Sequence, residues 1–397
     1  MAIIGEALTR RGHEIHVLAC VPGQASSDRR DGAVHVHRRG TRDLGRLDGL
    51  LRSGKARLRL EVAGAGFREY RRLRLDFDVV ELPDWMAEGF VFALLGSKPL
   101  VGLLHTPLLV LATHNDKPRT WDRRLGDAIE RVTMSRAHLV TSPSHLLADD
   151  LSASGWLGDR KARVIRYPLD LDQWGALPSP EAAPPRILWI GRLEPRKAPE
   201  TLVEAAAHLA AEINDLEVVF VGGSNYNRDG KPYAEWTAAL ARKLGAPCRF
   251  VDFVPRTDLP SWYERVRVAV LTARYDNFPV AGLEAMAAGR PLVTTSKTGV
   301  AELVGGAEAG AVVPPRDPIA LAEALRLYLL DSAPAGADGR RARNVIETHC
   351  SPDRVGAKRE LAYEEAVLRW RATLTGRTLR RIGQRARASS SWLYRAS

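Results

Sequence analysis

The chain is short of cysteine, of uninterrupted apolar runs and, near its end, of acid. Cys20, Cys248 and Cys350 are its only cysteines, scattered over 397 residues without metal-binding or redox spacing. Such usage excludes a disulfide scaffold and a cysteine-held metal, and predicts reduced thiols in a cytoplasmic protein. No basic and then apolar leader opens the sequence, so no signal peptide is read. The stretch 90–112 has membrane-spanning length, but Lys98, Pro99, His105 and Pro107 interrupt it. It reads as a helix ending near Gly96 followed by a buried strand from Leu100 to Leu104. Residues 371–397 carry seven arginines and no acid, and residues 29–74 carry 14 basic and 5 acidic side chains, so these two segments exceed the total net charge of +11 and the remainder is acidic. Basic surfaces attract anionic lipid, phosphorylated sugars or nucleic acid without choosing among them. A solvated arginine-rich face accounts for them equally well.

What is present is enough apolar residue, 45%, to build two domains of about 150–200 residues each. The most informative stretch is Ala273 to Leu292. A β-branched apolar run, Val266 to Thr272, leads into Asp276-Asn277-Phe278-Pro279, and Val280 to Ala288 then has helical spacing with Gly289 as its stop. Pro279 suits the first helical position, and the free N-H groups of the turn that follows make an anion site. Asp276 and Glu284 could place carboxylates beside a bound phosphate, as partners for sugar hydroxyls. A second stretch, Ile187 to Lys197, is again a buried strand running into a loop, with Arg192 and Lys197 ahead of a helix from Pro199 to Leu209. Two fixed cations and a helix N-terminus at neighbouring strand ends suit a diphosphate leaving group.

Gly191-Arg192-Leu193, then Lys197, then Asp276-Asn277-Phe278-Pro279 and Glu284-Ala285-Met286-Ala287-Ala288-Gly289 resemble, in order and spacing, the donor-binding motifs of glycosyltransferase family 4. Asp276 stands where that family commonly has Glu. The resemblance implies an α/β chain of the GT-B fold: two Rossmann-like doubly wound parallel-sheet domains with a cleft between them. It also implies retaining transfer of a hexose from a nucleoside diphosphate sugar to a hydroxyl acceptor. Arg192 and Lys197 would stabilise the departing diphosphate, Glu284 would hold the ribose, and Asp276 and His105 the sugar. Gly191, Gly222, Phe253, Val254, Asn277, Phe278, Pro279 and Val280 would line the donor site. No metal and no cofactor are expected, and no nucleic-acid partner.

Along the chain, residues 1–178 read as the acceptor domain and 183–353 as the donor domain, joined by the linker Pro178 to Pro185. Residues 354–375 read as a helix crossing back to the first domain, and 376–397 as a basic tail. Family members carry a first strand and a glycine-rich loop ahead of the segment Arg10-Arg11-Gly12-His13-Glu14; neither is found here, so the first domain is expected to lack its central strand. Glu81, Asp84 and Glu88, at a strand's C-terminal end, are acceptor or sugar candidates, although Asp84 equally suits a helix cap. Asp170-Leu171-Asp172 matches a family turn better than a metal ligand pair. Two other readings remain: an epimerase or phosphorylase on the same architecture, and a degraded transferase fold whose basic surfaces hold an anionic polymer or lipid, including peripheral contact with an anionic membrane.

Overall fold

The computed structural model describes residues 2–41, 54–175 and 177–390. In the second half, strand and helix alternate because each apolar strand needs cover on both faces. The strands are β8 (Arg186–Ile190), β9 (Glu217–Val221), β12 (Cys248–Val251), β13 (Val268–Leu271), β14 (Leu292–Thr295) and β15 (Gly310–Val313), with a short hairpin, β10 (Asn227–Arg228) and β11 (Lys231–Pro232), beside them. They hydrogen-bond in the order β12-β9-β8-β13-β14-β15, all parallel. This is a doubly wound sheet whose direction of winding reverses between β8 and β13. Side chains alternate between the faces. Trp189, Phe220 and Val270 enter one core; Leu188, Val219 and Leu271 enter the other.

The first half holds two sheets. β1 (His16–Cys20), β3 (Val34–Arg39) and β2 (Ser27–Asp31) form one, in the order β1-β3-β2; β4 (Val80–Pro83), β5 (Leu100–Leu103), β6 (Leu139–Ser142) and β7 (Arg163–Val164) form the other. Among the described residues no strand lies between β1 and β4. Val80 and Asp84 spend their N-H groups on the β5 side, so the opposite edge of β4 is unpaired. A groove with a cavity of about 80 Å³ separates the sheets, lined by Leu18, Cys20, Val62, Tyr70, Val80 and Leu82. The helix Gly54–Leu73 packs across β1 and the start of the Phe90–Leu95 segment.

Phe90–Leu95 is a helix and Leu100–Leu103 a strand, as the interruptions in that apolar stretch require, and no described helix is long and apolar enough to cross a membrane. Two crossings join the halves. The proline-rich segment is not loose: Pro180 is buried in a turn, Pro180–Ala182, against the helix Ala333–His349. The second crossing is the helix Pro352–Ser390, which returns onto Ala2–Arg10, β5 and β6. It carries helical structure well into the stretch read as a tail; residues 391–397, with Trp392 and Tyr394, lie outside the described residues, as do residues 42–53 of the basic stretch 29–74. The first crossing lies ahead of Leu169, which is already in the C-domain core and whose N-H donates to the Cys350 carbonyl at 2.9 Å, just before the second crossing begins.

Candidate functional site

The reversal between β8 and β13 leaves a crevice beyond their C-terminal ends, because the two following segments diverge to opposite faces of the sheet. The segment after β8 turns at Gly191, and the segment after β9 passes so close that a Cβ on Gly222 would sit 2.1 Å from the Gly191 carbonyl oxygen. Gly222 also has φ +135°, open only to glycine. This close approach of two protein segments is what requires glycine at the position.

Past Gly191 the chain makes a 3₁₀ turn, Pro195–Lys197. The turn aims two cations inward. Lys197 Nζ is ion-paired with Asp276 Oδ2, and Arg196 Nη1 lies 3.1 Å from Asp276 Oδ1. Arg196 also donates to the Tyr275 carbonyl at 3.0 Å and to the fully buried Glu194 at 2.7 Å. Burial alone would raise Asp276, but Lys197 and Arg196 outweigh it and hold the carboxyl below its usual range. Burial pulls the Lys197 ammonium down despite the same carboxylate. Arg192 is different: its side chain is 58% exposed and its ion pair with Glu194 is long, at 3.4 Å. It is the cation of the loop with most freedom to meet an anion. Arg196 and Glu194 were not singled out from sequence, although both stand inside the stretch that was. Their alternating charges around Pro195 were the signal.

Pro279 is the N-cap, one position earlier than its expected place, and the helix runs Val280–Ala287. Its first N-H groups, at Val280 and Ala281, precede any intrahelical bond and face the same crevice end. Phe278 is buried in the core, against Tyr167 at 5.9 Å between ring centres, and is not open to a ligand. Asn277 is likewise occupied. Its Nδ2 donates to the His105 carbonyl and its Oδ1 accepts from Ser144 Oγ at 2.8 Å. One C-domain amide therefore fastens two N-domain strand ends, so Phe278 and Asn277 are corrected from donor contacts to packing and bridging residues.

Glu284 lies one turn inside the helix, buried, with Arg256 Nε at 3.1 Å. Burial pushes its carboxyl up to about 7, with Arg256 acting against the shift. Arg256 was missed because nothing periodic links it to a residue 28 positions away. Phe253 is 81% exposed at the rim, while Val254 is half-buried against the core.

Across the crevice, His105 follows β5. Its backbone N-H donates to Asp84 Oδ1 at 2.8 Å, and its Nδ1 lies 3.6 Å from the same oxygen. Burial disfavours the charged ring, yet Asp84 outweighs it and raises the imidazole above its ordinary value. Asp84 makes no helix-cap bond; it is wholly buried and orients His105. Met86 (φ 59°) and Ala87 (φ 47°) occupy left-handed backbone beside it. Glu81 is no acceptor contact. It receives Arg359 Nη1 at 2.5 Å and Tyr363 Oη at 3.1 Å from the returning helix, which needs a buried counter-charge there. Glu88 faces the β1–β4 groove, where burial raises its carboxyl. Asp170 and Asp172 form a local turn, the Asp172 N-H donating to Asp170 Oδ1 at 3.2 Å.

The structure thus pairs Lys197 with Asp276 and, through Asn277, joins this end of the donor domain to His105, with Arg192 and the Val280 helix start on the segments that follow β8 and β13; the side chains of Glu81, Glu88, Asn277 and Phe278 are engaged in other contacts. Comparison with known proteins agrees with the architecture. Residues 2–173 match the family described as Glycosyltransferase Family 4, and residues 178–345 match Glycosyl transferases group 1. A glycogen synthase of Mycobacterium tuberculosis is 29% identical over 278 residues, 68% of this chain and 64% of that protein's length. A D-inositol 3-phosphate glycosyltransferase of Xylanimonas cellulosilytica is 29% identical over 89% of this chain and 86% of its own. Among solved structures, the sucrose-phosphate synthase of Thermosynechococcus elongatus superposes with a TM-score of 0.71 at 20% identity, over 91% of each chain. Alr3699/HepE of Anabaena, crystallised with UDP and glucose, gives 0.67 at 18% identity, covering 91% of this chain and 95% of its own.

Proposed function

From a chain whose two halves belong to the family 4 and group 1 glycosyltransferases, we propose a retaining enzyme that moves a hexose from a nucleoside diphosphate sugar to a hydroxyl acceptor held mainly by the N-domain. The observation that carries this reading is the grouping of Arg192, Lys197 and the Val280 helix start at one switch point, facing His105 across the crevice. Charge that develops on a departing diphosphate meets fixed cations and N-H groups there, in a site that domain closure can dry. This arrangement needs neither a metal nor a bound cofactor to stabilise the leaving group.

Lys197 lies against Asp276. An arriving diphosphate competes for the ammonium, and Asp276 is then released toward sugar hydroxyls while Arg196 continues to hold it. Glu284 accepts from the ribose once Arg256 turns away; Arg256 is nearly half exposed and has room to do so. No side chain stands out as a covalent nucleophile. A front-face reaction, in which the leaving phosphate takes the acceptor's proton, requires none. UDP in the HepE crystal supports a nucleoside diphosphate as the class of leaving group. The same reading places the protein in the cytoplasm, with its basic surface available to an anionic membrane.

The test is calorimetry against a panel of UDP, GDP and ADP sugars, with Arg192→Ala as control. Saturable binding of one nucleotide sugar, lost in the control, supports the proposal and names the donor. Binding to none of them, by protein whose fold is intact, overturns it. Turnover without an acceptor, or dependent on inorganic phosphate, would favour the epimerase or phosphorylase.

A further inference from the structure

Three histidines share one face of the small sheet. His16 opens β1 and is the direct cross-strand partner of His35 on β3, while His37 follows two residues on, on the same face. The His16 and His35 rings stack at 4.5 Å between centres, and His16 and His37 at 5.3 Å. Their nitrogens form a directional chain. His37 Nδ1 lies 2.7 Å from Asp28 Oδ1, and His37 Nε2 lies 3.0 Å from His16 Nδ1. A carboxylate only accepts, so His37 Nδ1-H donates to Asp28, and in the tautomer with that one ring proton His37 Nε2 accepts from the His16 Nδ1-H. In that tautomer the outer nitrogen of His16, Nε2, offers a lone pair. It points at Glu14 Oε1, 3.0 Å away.

Two acceptors at that distance require a cation between them, either a proton or a metal. His35 is held in the matching state. The Arg30 guanidinium, which only donates, lies 3.3 Å from His35 Nε2, so that nitrogen also presents a lone pair. His35 Nε2 is 3.8 Å from the same Glu14 oxygen. A second group, Asp28, His37 and Glu69, has metal-like spacing too. That group is already neutralised, since Arg39 reaches Asp28 at 2.6 Å and Glu69 at 2.7 Å, and Arg72 reaches Glu69 at 2.8 Å. Among the described residues the arginine beside the first group is Arg30, which sits on an exposed strand and can swing aside.

We propose that Glu14, His16 and His35 form a binding site for a divalent d-block cation of the zinc type, through Glu14 Oε1, His16 Nε2 and His35 Nε2, with water in a fourth position. Ligand atoms around tetrahedral zinc stand about 3.3 Å apart, given metal-nitrogen bonds of about 2.0–2.1 Å; the separations of 3.0 and 3.8 Å bracket that value. The stacked rings tilt toward the ion as it enters. Asp28 and His37 supply the outer hydrogen bonds that fix the His16 tautomer, as metal-bound histidines generally require. The site lies at the start of β1, whereas the crevice is built from segments that follow strand ends. Its task is to cross-link β1, β3 and the segment that leads into β1, apart from the transfer reaction.

The experiment titrates untagged, chelator-stripped protein with Co²⁺, whose tetrahedral complexes absorb in the visible, and then displaces it with Zn²⁺. One saturable equivalent with tetrahedral absorption, displaced by zinc, is the expected result. Glu14→Gln, a change at a surface carboxylate that leaves folding intact, and His35→Gln should each lower affinity at least tenfold. Asp28→Asn should weaken it about 10–100-fold through the tautomer relay, and His208→Gln should change nothing. Absence of binding, or binding that survives both Glu14→Gln and His35→Gln, overturns the proposal.

Discussion

Replacing Glu284 by glutamine separates the cost of the donor site from its use. Glu284 is buried and its carboxyl is raised from 4.5 to about 7, burial being the main cause and the Arg256 guanidinium the opposing one. A raised acid pKa means that the folded state holds the proton more tightly than the unfolded chain. This group's stabilising effect is therefore complete below pH 4.5 and is lost as pH rises through about 7. The shift of 7 − 4.5 = 2.5, at about 1.4 kcal/mol per unit, amounts to about 3 kcal/mol of stability lost between those limits. Glutamine keeps the shape and an acceptor for Arg256 but cannot ionise. Glu284→Gln should match the parent near pH 5 and exceed it at pH 8 by up to about 3 kcal/mol, which is several degrees in melting temperature for domains of this size. Thermal melts of both proteins at the two pH values, without ligand, read the difference directly. Donor binding by the variant should fall, because an activity site is often bought with stability. A gap of the same size at both pH values, or a variant less stable at pH 8, refutes the reasoning.

Arg192→Ala should lower kcat/KM about 10²–10³-fold, as loss of one charge-stabilising donor does, with little change in melting temperature because the side chain is exposed. Gly222→Ala should destabilise the donor domain by about 1–3 kcal/mol from its left-handed backbone alone, with the Gly191 clash added; unchanged urea unfolding would contradict the close approach. Glu81→Ala leaves Arg359 buried without its carboxylate and should cost about 3–5 kcal/mol, read by thermal denaturation. Asp84→Asn should lower the His105 pKa, followed by NMR titration. Since that pKa is raised in the fold, the stability it contributes is present below the free value of 6.5 and disappears as pH rises through the folded value, and the variant should lose this dependence.

The donor half was legible because its signals are local. An apolar run such as Ile187–Ile190 can only be a strand covered on both faces, and the charges that follow it in sequence also follow it in space. Asp276 and Lys197, 79 positions apart, could be brought together on paper because both end strands that a doubly wound sheet sets side by side. Glu81 shows where this stops. Its partner is 278 positions away on a helix that returns from the other domain, and no periodicity near Glu81 records that return. Asn277 failed differently. Its motif position was read correctly, but the side chain serves His105 and Ser144, which depends on how closely the two halves sit. Arg256 and the histidine face arise the same way, from side chains juxtaposed by packing, which binary pattern and motif spacing do not encode.

The two crossings between the halves have a mechanical consequence. Bodies joined by one strap can twist, slide and swing, but here the helix Pro352–Ser390 forms a second strap, and the points where the chain enters and leaves the C-domain are tied by the bond from the Leu169 N-H to the Cys350 carbonyl. Two adjacent straps suppress sliding and leave rotation about the line they share as the main freedom. The Asn277 bridge to His105 and Ser144 is a separate tie between the halves, made by side chains across the crevice. Breaking its two bonds should therefore act as the latch for the whole swing, and the lever arm from pin to latch sets how wide the crevice opens for each degree of turn.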